Sequence, residues 1–132
     1  MANQPQTAKG TILVVEDEAE MATLLAFLLK REGYGVLHAA DGRQAQSMID
    51  QMPPPRLALL DVMLPYMSGL QLVTYIRSKP EWQDVPIVML TADSAEQDVV
   101  RALDAGAFDY VLKPFNPREL IARLQRFLKP TS

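Results

Sequence analysis

The sequence predicts one α/β domain built on a parallel sheet with helices on both faces. Three observations predict it. Short apolar runs alternate with amphipathic stretches five times along the 132 residues. Runs such as Ile12–Val15 and Ile87–Leu90 are continuously apolar rather than alternating, the pattern of strands buried on both faces. No repeat or linker divides the chain, and strands separated by helices pair in parallel through right-handed crossovers.

Each element has its own local reason. Thr11–Val15 is the first strand. Met21, Leu24, Leu25 and Leu28 then recur at helical spacing, and Gly33 can end that helix. Tyr34–Ala39 is a weaker second strand; Asp41 can cap a helix carrying Ala45, Met48 and Ile49, and Pro53-Pro54-Pro55 breaks the chain. Leu57–Leu60 is the third strand, ending at Asp61, and Pro65 forces a loop. Ser68 caps a helix bearing Leu70, Val73, Tyr75 and Ile76, closed by Lys79-Pro80. Ile87–Leu90 ends at Thr91, and Ser94-Ala95-Glu96-Gln97 has the spacing of a capping box for a helix that runs to Gly106. Phe108–Leu112 ends at Lys113. Asn116-Pro117-Arg118-Glu119 reads as a cap, a proline at the first helical position and a capping-box acid. Leu120, Ile121, Leu124, Phe127 and Leu128 mark the last helix, and Pro130 stops it.

Composition narrows the function. With no cysteine, disulfide scaffolds, thiolate metal sites and cysteine nucleophiles are excluded. A net charge of −3 argues against a nucleic-acid or membrane-binding basic patch. No apolar run approaches the length of a membrane span, and Met1–Gly10 lacks the apolar segment of a secretory signal. Residues 1–9 read as a disordered leader before a domain over 10–129.

Chemistry-bearing residues sit at one kind of place. Glu16 and Asp17, Asp61, Thr91 and Lys113 each follow the carboxyl end of a strand, where open α/β sheets bind ligands. Converging there, three carboxylates repel one another unless a hard divalent cation joins them, and an all-oxygen set suits Mg²⁺. Asp17 and Asp61 are the natural pair, with Glu16 behind or bridging through water. A carboxylate beside a metal, an ammonium and a hydroxyl resembles a phosphoryl-transfer site, since Asp can form an aspartyl-phosphate and the charge on the transferring group is spread over three oxygens.

Four segments in order carry a family resemblance: Ile12–Val15 with Glu16-Asp17-Glu18; Leu59-Leu60-Asp61-Val62-Met63-Leu64-Pro65 with Ser68-Gly69; Pro86–Leu90 with Thr91-Ala92; and Asp109-Tyr110-Val111-Leu112-Lys113-Pro114-Phe115. From about Gly10 to Leu128 the chain resembles a response-regulator receiver domain of two-component signalling, CheY-like. The resemblance implies a doubly wound, flavodoxin-like sheet of five parallel strands in the order 2-1-3-4-5, with five helices. It implies that Asp61 accepts a phosphoryl group from a histidine kinase or phosphotransfer protein. Glu16, Asp17 and Asp61 would serve Mg²⁺ together with the backbone carbonyl of Met63, and Lys113 and Thr91 would meet the phosphoryl oxygens. Thr91 and Tyr110 would relay the switch, and Lys113-Pro114 would be cis. It further implies a cytoplasmic protein, a downstream effector or fused output domain, and no direct DNA contact by this domain. The side chains of Met63 and Asp93 stand where the family varies hydrolysis rate.

The tail from Lys113 to Arg123 is similar to receivers of winged-helix transcription factors, which often dimerise through charged pairs on the fourth helix, fifth strand and fifth helix. Asp109 and Arg123 can form one such pair, and Glu119 is present. Val99 stands where a base is expected, Phe108 replaces an acid and Gln125 a base, which leaves room for an apolar contact through Val99 and Phe108 in a phosphorylation-dependent homodimer.

Taken singly these residues read more blandly. Asp17 or Asp61 alone is a turn residue, Thr91 a strand-end hydroxyl, Lys113 a surface lysine and Tyr110 packing. Glu18 favours a helix N-terminus by charge. His38 reads as a surface or satisfied histidine away from the acidic set, Trp82 as packing, and the seven methionines as core filler. Two rivals share parts of the pattern. A flavodoxin-like FMN carrier needs a hydroxyl- or glycine-rich phosphate loop where this chain has Glu16-Asp17-Glu18. An aspartyl-phosphate hydrolase usually has a second acid two residues past its nucleophile, where this chain has Met63.

Overall fold

A computed structural model describes residues 9–92 and 96–128, the side chains of 96–99 excepted. Five strands form one parallel sheet: β1 Thr11–Val15, β2 Gly35–Ala39, β3 Leu57–Asp61, β4 Ile87–Thr91 and β5 Asp109–Leu112. Their spatial order is β2-β1-β3-β4-β5, so the chain winds outward in both directions from β1 and β3. The helices are α1 Ala19–Arg31, α2 Gly42–Gln51, α3 Gly69–Arg77, α4 Glu96–Ala105 and α5 Pro117–Leu128, with a short 3-10 turn at Pro80–Trp82.

The unbroken apolar runs behave as predicted. Every residue of β3 and β4 is buried. On one face Ile12, Val14, Leu57, Leu59, Val88 and Leu90 pack against α1 and α5 through Leu25, Leu28, Leu29, Leu120, Leu124 and Leu128. On the other, Leu13, Val15, Leu60, Ile87 and Met89 meet α2 and α3 through Ala45, Ile49, Leu72, Val73 and Ile76, with Trp82 closing the edge. Trp82 is thus packing, as expected; the methionines are only partly core, since Met89 is buried but Met63 stands 73% exposed.

Caps fall where the sequence puts them. The Asp41 carboxylate accepts from the Gln44 N–H, Ser68 and Gln71 form a full capping box, and Asn116 accepts from the Arg118 and Glu119 N–H groups. Ser94 lies outside the described residues, as do residues 1–8 of the expected leader. Two strand starts differ by one residue from expectation. Tyr34 gives its N–H to Leu29 at the end of α1, so β2 begins at Gly35; β5 begins at Asp109, after Phe108 has given its N–H to the Ile87 carbonyl. Lys113-Pro114 is cis, as the resemblance implied.

Candidate functional site

The carboxyl edge of the sheet gathers the acidic residues. Glu16 leaves β1, Asp61 ends β3 and Lys113 follows β5. Oxygens of Glu16, Asp17 and Asp61 lie within 4.8 Å of one another. Glu16 is wholly buried, Asp61 is 5% exposed, and Asp17 faces solvent. The Lys113 ammonium reaches across from β5, donating to Asp61 Oδ2 at 2.8 Å and to Glu16 Oε1 at 3.2 Å.

Backbone geometry holds these groups in place. Asp61 Oδ1 accepts from the Met63 N–H at 3.0 Å, and Glu16 Oε2 accepts from the Glu18 N–H at 3.0 Å. Glu18 itself precedes α1 without a side-chain cap bond. The floor beneath Asp61 is Gly69, the first residue of α3, whose N–H donates to the Val62 carbonyl. A Cβ there would lie 2.3 Å from the Asp61 carbonyl oxygen, so α3 can start this close to the acidic strand end only at a glycine. Thr91 is buried at the end of the adjacent β4, its carbonyl accepting from the Lys113 N–H at 2.7 Å.

The electrostatics are unbalanced. Burial pushes the Glu16 carboxyl above its ordinary value, the Glu18 N–H opposes this, and the Asp61 charge adds to it. Burial alone would lower the Lys113 ammonium, but the hydrogen bond and charge of Asp61, followed by those of Glu16, outweigh it and hold Lys113 above its ordinary value. One ammonium shared between two carboxylates, with a third alongside, leaves net negative charge in a partly dry place. Such oxygen-only sets fit a hard divalent cation, and the solvent-facing Asp17 leaves a way in.

The remaining expected residues are distributed as follows. Tyr110 lies on β5, the edge strand, and packs partly against the core. Asp109 and Arg123 pair at 3.3 Å, and Arg123 also reaches Glu119 at 3.7 Å, both within this chain. Phe108 is 46% exposed and meets the Phe127 ring edge-on. Val99 lies in α4 but its side chain falls outside what the structure describes, as does the whole of Asp93.

His38 is exposed and satisfied, as the sequence suggests, but it lies nearer the acidic set than expected: its Nε2 is 2.8 Å from the Glu16 carbonyl oxygen. β2 pairs with β1 in a register that sets His38 opposite Val14, two residues short of Glu16, and the ring spans the rest. A polar side chain near the carboxyl end of an otherwise apolar strand was the available signal. The close approach of Gly69 to the Asp61 carbonyl and the Met63 N–H bond to Asp61 leave no such signal in the sequence.

Comparison with known proteins places the chain in a family and agrees with its fold. The family model described as response regulator receiver domain matches residues 12–125. The phosphate regulon transcriptional regulatory protein PhoB of Escherichia coli is 42% identical over 121 residues, covering 92% of this chain and 52% of PhoB. The chain thus spans about half the length of the curated relatives it matches. Among solved structures, the signal receiver domain of a signal transduction histidine kinase from Syntrophus aciditrophicus superposes with a TM-score of 0.83 at 34% identity, covering 93% of this chain and 95% of that one. The chemotaxis response regulator CheY4 of Vibrio cholerae superposes equally well, TM-score 0.83 at 31% identity, covering 89% of this chain and 97% of its own.

Proposed function

The chain belongs to the response regulator receiver domain family, and from that premise we propose that it is a phosphorylation switch whose acceptor is Asp61. The observation that carries the proposal is the meeting of the Glu16, Asp17 and Asp61 carboxylates around one lysine at the carboxyl edge of the sheet. A purely structural ion pair needs one acid for one base. Here one base serves two acids, one of them wholly buried, and a third acid stands alongside, which favours a ligand that brings positive charge.

Asp17 and Asp61 would hold Mg²⁺, with Glu16 behind them and the Met63 carbonyl completing the protein's share. When bound, the ion supplies positive charge to a phosphoryl oxygen. A carboxylate oxygen of Asp61 attacks phosphorus; the O–P bond forms as the N–P bond to the donor phosphohistidine breaks, and the electron pair leaves on the imidazole nitrogen. Lys113, already bonded to Asp61, takes a second phosphoryl oxygen. The Thr91 hydroxyl takes the third. The domain so catalyses its own phosphorylation and, with water attacking phosphorus and the Asp61 carboxylate leaving, its own slow dephosphorylation.

The proposed readout runs through Thr91 and Tyr110, which lie on the neighbouring strands β4 and β5. Drawing Thr91 toward the phosphoryl group moves the end of β4, Tyr110 turns inward on the neighbouring strand, and the surface of α4, β5 and α5 changes its preference for partners. That surface carries a groove of about 200 Å³ between Tyr110, Phe115, Glu119 and Arg123. A histidine kinase or phosphotransfer protein is the donor, and an effector or attached output domain is the receiver of the signal in the cytoplasm.

Incubation with Mg²⁺ and acetyl phosphate tests the reading. Intact mass rises by one phosphoryl group in the wild type and not in Asp61→Ala; equal labelling of the variant overturns the assignment. Asp17→Ala weakens Mg²⁺ binding, and an unchanged Mg²⁺ titration puts the metal elsewhere.

A further inference from the structure

Resting on the proposed Mg²⁺ and phosphoryl site, we infer that His38 is a positioning residue for it: its imidazole fixes the peptide group that joins Glu16 to Asp17. The β1–β2 ladder ends with Val15 opposite Ala39, and the Glu16 N–H still donates to the Ala39 carbonyl at 3.0 Å. A parallel ladder carried one step further would bring the Asp41 N–H to the Glu16 carbonyl. The chain has turned away by then. The Ala40 N–H goes to the Gln44 side chain and Asp41 caps α2. The Glu16 carbonyl would be left at the sheet's end, and strand-end carbonyls require a partner. His38 Nε2 supplies it at 2.8 Å. A carbonyl only accepts, so Nε2 carries the hydrogen, in the neutral ring and in the imidazolium alike.

Glu16 is therefore tied at four points. Its N–H is held by Ala39 and its carbonyl by His38; its carboxylate oxygens are held by Glu18 and Lys113. Among the described residues, the His38 bond alone acts on the peptide between the two acids. Rotation of that peptide swings the Asp17 Cα, and with it the exposed carboxylate, relative to Asp61. The ring reaches no carboxylate of the set itself, so it acts through Glu16. Partners of this kind, one step removed from a metal, commonly govern affinity by orienting the ligands.

The test compares His38→Val, which keeps a strand-forming side chain without a donor, and His38→Gln, whose amide can donate to the same carbonyl. Mg²⁺ affinity is read by calorimetry, and metal-free thermal stability is read separately. His38→Val weakens Mg²⁺ binding by roughly tenfold, the lower range for such partners. Its metal-free melting point moves little, because exposed His38 leaves the carbonyl open to water, and His38→Gln recovers most of the affinity. Unchanged affinity in His38→Val overturns the inference, as does a His38→Gln as weak as His38→Val. A measurement on the wild type stands independent of variant folding: imidazole ¹⁵N spectra in alkaline buffer show the Nε2–H tautomer, and an Nδ1–H tautomer overturns the inference. A wild type that binds no Mg²⁺ removes the site itself, and His38's role falls with it; a wild type that binds while His38→Val binds equally well removes only His38.

Discussion

Lys113 and Arg77 are both cations drawn partly out of water, and they are held in opposite ways. Lys113 bonds two carboxylates, Asp61 and Glu16, and their charges hold its ammonium above the ordinary value despite burial. Arg77, the last residue of α3, bonds neutral carbonyls: Gly106 twice, at 2.8 and 3.1 Å, Trp82 and Val85 at 2.9 Å and Gln83 at 3.1 Å. Burial lowers its guanidinium, opposed only by the charge of Asp84. Its plane also lies over the Phe108 ring. A cation on carboxylates can exchange partners when a phosphoryl group arrives, because the newcomer offers the same kind of charge. One whose donors are spread over carbonyls of the α3–β4 and α4–β5 connections has nothing to exchange and acts as a staple. The helix α3 joins the two regimes: Gly69 abuts the reactive strand end and Arg77 closes the opposite end.

The comparison breaks if the two cations respond alike to removal. Lys113→Gln should slow acetyl phosphate labelling by on the order of 10²-fold, the scale of one lost charge-stabilising donor. Quench-and-mass kinetics check this, and a rate within twofold of wild type would make Lys113 an ordinary ion pair. Arg77→Met should do the reverse. It leaves several carbonyls short of donors and should cost about 2–4 kcal/mol in urea unfolding. Labelling under conditions where the variant is folded should change little; a labelling loss as deep as that of Lys113→Gln would erase the distinction.

Gly69→Ala sharpens it from the shared helix. Its new Cβ meets the Asp61 carbonyl at 2.3 Å and the Met89 methyl at 2.9 Å. Pushing α3 back should cost about 1–3 kcal/mol and slow labelling as well, since the obstruction lies against the acceptor strand. A stability loss with an unchanged labelling rate would show that the site tolerates movement of its floor.

The smallest effect belongs to an exposed pair near the Arg77 end. The Asp50 carboxyl is held below its ordinary value first by the Lys79 ammonium and then by the Tyr75 hydroxyl. A lowered folded-state value means that this stabilisation is complete above the unfolded carboxyl's value, about 3.9, and fades as pH falls through the folded one. The melting-point gap between wild type and Asp50→Asn should be small at neutral pH and close in acid. A gap that widens in acid would reverse the sign.

The sheet, its two helical layers and the four strand-end positions are legible in the sequence because they depend on unbroken apolar runs and on where those runs stop. Val15, Leu60, Leu90 and Leu112 each end a run and each is followed by the residue that matters, at most one further on. What the sequence hides are bonds to backbone atoms. Arg77 meets carbonyls, which every residue has, and so leaves no compositional trace. His38 meets the Glu16 carbonyl only because β2 pairs with β1 in one register, and a shift of one residue would turn the ring to the other face. Gly69 likewise reads as a helix start after Ser68; the carbonyl that crowds it belongs to a strand end eight residues earlier. Asp109 and Arg123 are legible as charge partners, but the sequence offers them as a pair of a dimer surface, whereas here they bond within one chain, fourteen residues apart on neighbouring elements.

The claim at the centre is that Asp61, among the three clustered acids, is the one that carries phosphate. Borohydride reduction of the acetyl phosphate-treated protein converts an aspartyl-phosphate to homoserine, and peptide mass mapping locates it. Homoserine at position 61 is the expected result. Homoserine at position 17, or a labelled protein with position 61 unreduced, would contradict it.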